Sequence, residues 1–324
     1  MEEIKATLAK RLTDGVYRAG DRFLSARQLA AQFKISYQTA HRLLQELCQE
    51  RLLERRAASG TYVPGGRMEL YGVQLIFHPR ARRPRSFGAR LLEDLKRRLE
   101  RDRLFLAVSW PNGRVKLDPD LFPVIWESPA AVERCLRAGR PALILNDRPR
   151  PGLDAALFDS VSLDDFSGGV CAAQLLARDL PRAGQPRLAV LSGPATDRRS
   201  NQRRDGFLSL VPRAAVVESQ GWYFEDGYKV AGEAVRRGRD GIFCCNDRLA
   251  ESVISYCRDH NLARPRLVGF DDAPIAEQLN LSTIAIPWEE IIAGAIDIIR
   301  KRLDGDSTAA RQLIFTPRPI IRSR

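Results

Sequence analysis

Four side chains that can donate and accept hydrogen bonds recur at helical spacing near the start of the chain. Tyr37, Gln38, His41 and Gln45 follow one another at intervals of one, three and four residues, which places them on one face of an α-helix. Phenol, amide and imidazole groups on such a face can hydrogen-bond the base edges that the DNA major groove exposes. We therefore predict that this helix contacts DNA bases.

Two short helical patterns separated by a tight turn would position that face. Ser25 and Ser36 can each accept a hydrogen bond from the first turn of the helix that follows. The apolar positions that would pack these two helices together with a preceding one are Ile4, Leu8, Leu12, Leu29, Ala30, Phe33, Ala40, Leu43, Leu44 and Leu47. This pattern predicts a small helical domain that leaves the hydrogen-bonding face in solvent.

Two strands are predicted after the second of these helices. Leu52-Leu53 and Tyr62-Val63 flank the basic pair Arg55-Arg56 and the turn residues Ser59-Gly60. A hairpin with basic residues near its tip can lie along DNA phosphates. The order of helix, turn, helix and hairpin predicts a winged helix-turn-helix. Any three-helix domain with a solvated polar face stays the alternative.

Residues 15–63 resemble the GntR-type winged helix domain. The positions that carry the resemblance are Gly15, Gly20, Asp21, Ser25, Arg27, Leu29, Ala30, Ser36, Thr39, Leu44, Leu47, Gly60, Thr61 and Val63. The DNA contacts that it implies are Arg27 on the first helix of the pair, Ser36, Gln38 and Thr39 at the start of the second, and Ser59, Gly60 and Thr61 on the wing. Tyr37 and His41 stand where the family often has arginine, so we expect a base preference that differs from a typical member's.

From residue 71 onward, strand-like apolar runs alternate with helical stretches. The runs cover 73–77, 104–108, 142–145, 188–191, 241–244 and 267–270, and the helical stretches include 86–101, 168–180, 227–237 and 248–260. Such alternation predicts an α/β fold with parallel sheets covered by helices on both faces. Ligands bind at the carboxyl ends of parallel strands, where this sequence has His78, Asn146-Asp147, Ser192-Gly193-Pro194, Asn246-Asp247 and Asp271-Asp272.

Residues 71–324 resemble the LacI-type effector domain, a two-lobed fold similar to the periplasmic sugar-binding proteins. The segments that carry the resemblance are Asp164 with Gly168-Gly169, 191–194, Arg203 with Gly206-Phe207, 245–247, 268–272, 282–284 with Pro287, and 316–318. It implies one lobe built from residues 71–165 with 286–310 and a second built from 166–285 with 311–324.

The same resemblance implies a small-molecule site between the lobes. Arg203, Asn246 and Asp271 would hydrogen-bond the ligand, and Tyr223 would stack on it. A guanidinium, an amide and a carboxylate around an aromatic face suit a polyhydroxylated ring, because each hydroxyl both donates and accepts. The other lobe would contribute His78, which follows its first strand, and Phe87, which lies at the start of its first helix.

A purely structural role is the alternative for each polar member of this site. Asp271 can cap a following helix, and Asn246 can hold its own turn. Arg203 can form an ion pair with Asp205 or Glu225.

Two segments depart from the LacI-type pattern. Between residues 108 and 124, the interior prolines Pro111 and Pro119 and a glycine predict that the helix usual in this family is missing or reduced. The geometry of a dimer therefore stays open. The run from Arg80 to Arg85 is unusually basic. We interpret it as a solvated loop, but if it faced the cleft it would favour an anionic ligand over a neutral sugar.

Composition favours a polyanionic partner and a location inside the cell. The 324 residues include 52 Lys and Arg against 40 Asp and Glu, a net charge of +12. No apolar run approaches the roughly 20 residues that span a bilayer, and the start of the chain has no hydrophobic signal region, so we predict a cytoplasmic protein. The six cysteines lack metal-ligand spacing, and we expect reduced thiols, no metal and no cofactor.

Together these patterns predict a transcription regulator with a GntR-like domain at residues 1–66, a linker at 67–70 and a LacI-like effector domain at 71–324, similar in arrangement to arabinose-type repressors. A homodimer would bind a double-stranded operator, and a sugar-like effector would change its affinity, most simply by relieving repression. The alternatives are a solute-binding protein for transport, and an enzyme that carries a GntR-like domain.

Overall fold

The chain divides into two compact units. The computed structural model describes residues 2–13, 16–17, 21–50, 52–56, 60–63, 70–84, 86–113, 115–178, 186–236 and 239–322. The first unit is residues 1–72 with short segments at 118–121 and 301–307, and the second unit is the rest of the chain.

In the first unit, three helices precede a two-stranded hairpin. Their bounds are α1 (Glu2–Thr13), α2 (Ala26–Phe33), α3 (Tyr37–Gln49), β1 (Glu54–Arg56) and β2 (Gly60–Tyr62). The two strands pair antiparallel, with Glu54 opposite Tyr62. The predicted winged helix-turn-helix is confirmed.

Serine caps set the tight turn between α2 and α3. The Ser25 hydroxyl accepts the Gln28 N–H at 3.3 Å, and the Gln28 Oε1 accepts the Ser25 N–H at 2.8 Å, which is a complete capping box. The Ser36 hydroxyl accepts the Thr39 N–H at 3.1 Å. Between the two helices, Lys34 adopts a left-handed conformation with φ 51° and ends α2. Both predicted caps are therefore present.

A single apolar cluster holds the first unit together. Its buried members are Leu8, Phe23, Leu29, Ala40, Leu43, Leu44, Leu47, Leu53 and Val63. Because α3 buries its leucine face in this cluster, its opposite face is turned to solvent.

The second unit alternates strands and helices. Its strands are β3 (Gly72–Phe77), β4 (Phe105–Ser109), β5 (Leu121–Trp126), β6 (Ala142–Leu145), β7 (Phe158–Leu163), β8 (Leu188–Ser192), β9 (Ala215–Glu218), β10 (Gly241–Cys244), β11 (Arg266–Asp271), β12 (Ser282–Ala285), β13 (Gln312–Phe315) and β14 (Arg318–Ile320). A short 3₁₀ helix covers Pro79–Arg82.

Helices connect these strands. They are α4 (Phe87–Arg101), α5 (Pro129–Arg137), α6 (Leu153–Leu157), α7 (Asp165–Arg178), α8 (Arg198–Leu210), α9 (Phe224–Ala234), α10 (Asp247–Asp259), α11 (Pro274–Gln278) and α12 (Trp288–Leu303). The four predicted helical stretches correspond to α4, α7, α9 and α10.

The strands form two six-stranded sheets, and each sheet is the centre of one lobe. The first sheet has the order β13-β7-β6-β5-β3-β4, and the second has the order β14-β12-β11-β10-β8-β9. In the first sheet, the pairs β5-β6, β6-β7 and β7-β13 are parallel. In the second sheet, the pairs β9-β8, β8-β10, β10-β11 and β11-β12 are parallel, whereas β14 pairs antiparallel with β12. The strands β3, β5 and β7 are buried along their whole length, as strands covered on both faces should be. The predicted α/β fold with parallel sheets is confirmed.

The predicted boundary between the lobes differs from the structure at one point. Residues 311–324 are predicted to belong to the second lobe, but β13 pairs with β7 in the first sheet, with Gln312 opposite Ser160. The chain therefore passes between the sheets three times, after β7, between β12 and β13, and between β13 and β14. Sheet pairing decides this boundary, because it joins β13 to a strand about 150 residues earlier.

The segment after β4 has the irregular backbone that its prolines predict. Among the described residues from 110 to 120 there is no helix, and the chain reaches β5 through turns and extended backbone. Across the described part of the chain, no helix combines the length and apolar character that crossing a membrane requires.

Candidate functional site

The solvent-facing side of α3 presents the predicted hydrogen-bonding side chains. Tyr37 is 54% exposed, Gln38 and Gln45 are exposed, and His41 is half-buried. The rings of Tyr37 and His41 lie 6.2 Å apart, so the two side chains form one aromatic edge of this face. The arrangement can present amide, phenol and imidazole groups together to a groove.

The caps and the preceding helix add further polar groups beside this face. The Ser36 and Thr39 hydroxyls lie 2.8 Å apart; Ser36 is the N-cap of α3, and Thr39 lies in its first turn. Arg27 is exposed on the first turn of α2. Ser36 and Arg27 are exposed and Thr39 is half-buried, and their contacts with DNA stay predictions.

The wing prediction is wrong for the side chain of Thr61. It is only 6% exposed, because Thr61 is the middle residue of β2 and alternate residues of a strand point to opposite faces. Gly60 is partly exposed and has φ 130°, a conformation that favours glycine. The prediction for Ser59 falls outside the described residues.

A cavity of about 520 Å³ lies between the two lobes of the second unit. The first lobe lines it with the first turn of α4 and with Trp126 and Asn146, and the second lobe with residues of α8, α10 and the loop before α9. The predicted ligand-binding residues that line it are Phe87, Arg203, Tyr223, Asn246 and Asp271. No histidine or cysteine is among the described residues that line it.

Arg203 is buried at the floor of this cavity and pairs with two carboxylates. Its Nε donates to Asp165 Oδ1 at 2.7 Å, and its Nη1 donates to Asp271 Oδ1 at 3.1 Å and to the Cys245 carbonyl at 2.7 Å. Its guanidinium also stacks on the Phe270 ring at 3.6 Å. The alternative of an ion pair with Asp205 or Glu225 is therefore wrong. The carboxylate partners of Arg203 come from the start of α7 and the end of β11.

Two glycines bring the helix that carries Arg203 close to α7. A Cβ atom at Gly169 would lie 2.0 Å from the Arg203 carbonyl oxygen, and a Cβ at Gly206 would lie 2.0 Å from the Phe166 carbonyl oxygen. Only glycine permits this approach of the two backbones. The close packing brings the Arg203 guanidinium to Asp165.

Asp271 lies at the end of β11 with one oxygen bound to Arg203. Its side chain is 25% exposed, and its backbone has φ 103°. Burial raises the pKa of this carboxyl to about 6, against the lowering effect of Arg203. The helix cap considered for Asp271 is wrong, because the N-cap of the next helix is Ala273.

Asn246 has a structural role at the start of α10. Its Oδ1 accepts the Leu249 N–H at 2.8 Å, and its Nδ2 donates to the Trp222 carbonyl at 2.9 Å. The side chain thus caps the helix and holds the loop that carries Tyr223. It lines the cavity and retains one amide hydrogen beyond these two bonds.

One face of the Tyr223 ring is already covered by an arginine of the other lobe. The Arg83 guanidinium lies 3.4 Å from the ring centroid and also contacts Glu225 at 3.6 Å. Any ligand that stacks on Tyr223 must therefore use the remaining face. Arg83 is exposed, as a solvated loop predicts, although its guanidinium also contacts the other lobe. The interpretation as a solvated loop is wrong for Arg80, which lines the cavity.

His78 was expected in the cavity, and the structure places it elsewhere. Its Nδ1 accepts the Arg80 N–H at 3.1 Å, so the side chain caps the 3₁₀ helix, and the residue is exposed. Phe87 does line the cavity, where its ring packs 4.7 Å from that of Trp288. The sequence pattern located the end of β3, but it could not show in which direction the side chain beyond it points.

Ion pairs join the lobes beside the cavity. Glu127, at the end of β5, contacts Arg199 of α8 at 2.6 Å and also binds Arg80. Asp147 contacts Arg198 at 3.4 Å. These pairs and the contacts of Arg83 hold the two lobes together beside the cavity.

Asp247 is a cavity-lining carboxyl that the sequence analysis did not single out as a site residue. It is 1% exposed, and its oxygens accept the Thr283 hydroxyl at 2.6 Å and the Ala273 N–H at 2.7 Å. Burial, followed by the charge of Asp271, raises its pKa to about 8. Its place directly after Asn246, at the end of a predicted strand, was the available signal.

Aromatic and basic side chains of the cavity were missed more completely. Trp126 and Trp288 line it, as do Arg90 of α4, Arg199 of α8 and Arg248 of α10. None of them belongs to a motif, and only the folded arrangement brings them together.

Two family models match the chain. Residues 1–63 match bacterial regulatory proteins of the gntR family, and residues 177–323 match the periplasmic binding protein-like domain. Among relatives, the sucrose operon repressor of Lactococcus lactis subsp. lactis is 28% identical over 157 residues, which is 45% of this chain and 48% of that protein. The HTH-type transcriptional regulator GntR of Escherichia coli (strain K12) is 26% identical over 235 residues, 67% of this chain and 65% of that protein. The chain thus matches about half to two thirds of the length of these relatives.

Solved structures share the fold. A LacI family transcriptional regulator from Enterococcus faecalis V583 with bound ribose has a TM-score of 0.65 at 19% identity, covering 77% of this chain and 97% of that one. The transcriptional regulator CelR in complex with cellobiose has a TM-score of 0.66 at 17% identity, covering 93% and 99%.

Proposed function

Because the chain joins a gntR-family helix-turn-helix domain to a periplasmic binding protein-like domain, we propose that it is a cytoplasmic transcription regulator whose DNA affinity depends on a small effector. The single observation that carries the proposal is the presence, in one chain, of an exposed hydrogen-bonding face on α3 and a ligand-sized cavity between two lobes. A transport protein needs no such helix, and the gntR match argues against that alternative.

Base contacts are assigned to the exposed face of α3. Gln38 and Gln45 are exposed amides, which can bind an adenine through two hydrogen bonds. Arg27 and Ser36 are exposed, and we assign their side chains to phosphates at the edge of the groove. A single domain of this size makes few phosphate contacts, so two copies of the chain would bind two half-sites.

The effector is assigned to the cavity between the lobes. A volume of about 520 Å³ suits a small molecule, and its wall combines the rings of Phe87, Trp222 and Tyr223 with the carboxylate of Asp271. Related folds carry ribose and cellobiose, which supports a polyhydroxylated effector. The effector changes operator affinity only if it binds the DNA-competent and the DNA-incompetent forms with different affinity. The difference in binding free energy is typically about 1 to 3 kcal/mol.

Selection of duplexes from a random library by the full chain tests the DNA-binding role without an effector. We expect enrichment of one sequence, which is then titrated by fluorescence anisotropy. Gln38→Ala should weaken binding to the selected duplex by about 1 to 3 kcal/mol, roughly 5- to 150-fold, and relax the preference at one base pair. Arg27→Ala should weaken all duplexes alike and reduce the salt slope by about one.

Gln174→Ala is the matched control, because Gln174 is an exposed amide on α7 of the second unit. It should bind the selected duplex as the unmodified chain does. Failure to enrich any sequence at about 100 mM salt, or equal losses in Gln38→Ala and Gln174→Ala, would contradict the proposal.

A further inference from the structure

Aromatic side chains from both lobes line the cavity. The rings that do so among the described residues are Phe87, Trp126, Trp222, Tyr223 and Trp288. Rings of this kind bind other rings in offset-stacked or edge-to-face arrangements. Which of them can bind a ligand in this way depends on which ring faces the protein already covers.

The rings around the first turn of α4 are partly covered by other side chains. The Trp126 ring stacks on Phe77 with the centroids 5.6 Å apart, and the Arg80 guanidinium lies 5.2 Å from the Trp126 centroid. Phe87 and Trp288 pack against each other with their centroids 4.7 Å apart. These contacts leave less of each ring for a ligand.

Trp222 rests with one face of its indole on the main chain. A Cβ atom at Gly193 would lie 2.8 to 2.9 Å from three neighbouring atoms of the Trp222 ring system, two of them at the bond that its rings share. Only a residue without a side chain can lie so close against the face of a ring. The Trp222 Nε1 also donates to Asp197 Oδ2 at 3.0 Å. The indole is therefore fixed both in its plane and from below.

The other face of the Trp222 indole is open to the cavity. The Arg203 guanidinium lies 5.7 Å from the Trp222 centroid, but it stacks on the Phe270 ring at 3.6 Å instead. Tyr223, by contrast, has one face covered by the Arg83 guanidinium at 3.4 Å. Among the described rings of the wall, Trp222 thus offers a ligand a flat and rigidly held surface.

Many polar side chains of the same wall are bound to other groups of the protein. Asp247 uses both of its oxygens, Asn246 uses its oxygen and one amide hydrogen, and Arg203 makes three hydrogen bonds. Arg199 pairs with Glu127. A ligand that carried hydroxyls over its whole surface would compete with these bonds, because every hydroxyl needs a partner. A flat ring needs few hydrogen bonds and gains from stacking.

We propose that the effector carries a planar aromatic ring, of a nucleobase or of an aryl group, joined to a hydroxylated part, and that this ring stacks on the open face of Trp222. The hydroxylated part meets Asp271 and the remaining amide hydrogen of Asn246. The inference rests on the proposed effector role of this cavity and specifies the class of its ligand.

Matched ligands that differ in one ring test this inference on the full chain by calorimetric titration. Glucose, cyclohexyl β-glucoside and phenyl β-glucoside form one set, and ribose, dihydrouridine and uridine form the other. In each set the second and third members carry rings of similar size, but only the third ring is aromatic and flat, so their comparison separates stacking from apolar burial.

In one of the two sets we expect the flat member to bind at least about tenfold more tightly than its parent sugar. It should bind about two- to tenfold more tightly than its saturated counterpart, which is what an aromatic pair adds beyond the area that it buries. The set that shows this preference distinguishes an aryl group from a nucleobase.

Variants of Trp222 locate the contact. Trp222→Leu keeps an apolar side chain but removes the flat face, so it should bind the flat and the saturated member of that set alike. Trp222→Phe keeps a flat ring and should keep the preference. The matched control is Trp110→Leu, because Trp110 belongs to the same unit, lies 4.6 Å from the Arg82 guanidinium and does not line the cavity. This variant should keep the preference in full.

The measured quantity is the ratio of two affinities in one protein, so a general loss of binding does not imitate the expected result. If Trp222→Leu binds neither member, the ratio in Trp222→Phe decides.

Equal affinities of the flat and the saturated members in both sets overturn the inference and leave the proposed function intact. The same holds if no flat member binds more tightly than its parent sugar, or if Trp222→Leu keeps the preference. Loss of the preference in Trp222→Phe or in Trp110→Leu would also contradict stacking on Trp222. Failure of the duplex selection, by contrast, bears on the DNA-binding role and does not involve the cavity.

Discussion

Ionisation of Asp247 should make the stability of the second unit depend on pH. The carboxyl is buried, and both oxygens accept hydrogen bonds, from the Thr283 hydroxyl and the Ala273 N–H. Its pKa rises from 3.8 to about 8, chiefly through burial and then through the charge of Asp271. Between these two values the folded chain holds a proton that the unfolded chain has released. Raising the pH from about 4 to about 8 therefore lowers the free energy of unfolding.

The size of this pH effect follows from the single proton that the Asp247 carboxyl holds in the folded chain. Each pH unit inside this window costs up to about 1.4 kcal/mol, so the step from pH 5.5 to 7.5 costs about 3 kcal/mol at this carboxyl. Asp247→Asn removes the titrating group. The asparagine keeps one acceptor oxygen, and the Thr283 hydroxyl can turn to accept its N–H, so we expect a constant loss of about 1 to 3 kcal/mol from the remaining unpaired donor.

Urea unfolding followed by tryptophan fluorescence separates the two effects. All four tryptophans lie in the second unit, which is therefore monitored alone. At pH 5.5 the unmodified chain should be the more stable, and by pH 7.5 its advantage over Asp247→Asn should have fallen by about 3 kcal/mol. Parallel pH dependences of the two proteins over this range would refute the reasoning, because a constant offset reports only the lost hydrogen bond.

Three further changes test the positioning of the two sites. Glu127→Gln removes the carboxylate that contacts Arg199 across the lobes at 2.6 Å. Losing about 1 kcal/mol from this contact would favour an open form about fivefold, and small-angle scattering should then show a larger radius of gyration. An unchanged radius would argue against a role of Glu127 in closure. Gly169→Ala forces a Cβ to within 2.0 Å of the Arg203 carbonyl oxygen. The resulting separation of α7 and α8 should lower the free energy of unfolding by more than about 3 kcal/mol in the same urea assay. Near-normal stability would contradict this close approach. Ser36→Ala removes the acceptor of the Thr39 N–H. The start of α3 should lose about 1 kcal/mol of stability, which is measured as faster hydrogen exchange at the Thr39 amide. Unchanged exchange would show that the cap does not protect this turn.

Local patterns were sufficient for the elements and for the solvent-facing side of α3. Ser25 and Ser36 cap α2 and α3 as their positions predict, because a cap involves only the next three residues. The leucine spacing of α3 then determined which face is buried and which side chains point to solvent. Alternating apolar runs likewise predicted the parallel sheets and the polar residues at their carboxyl ends.

Tertiary structure decided the partners of those residues. Arg203 lies 38 positions from Asp165 and 68 from Asp271, and no local pattern could have chosen these two over Asp205 or Glu225. The same holds for Arg83 over Tyr223, and for the assignment of β13 to the first sheet. Helix caps and periodicity depend on neighbours within about one turn. The cavity, by contrast, is formed by segments that meet only when the chain crosses between its two sheets, so its charge and the contacts between its lobes follow from the fold alone.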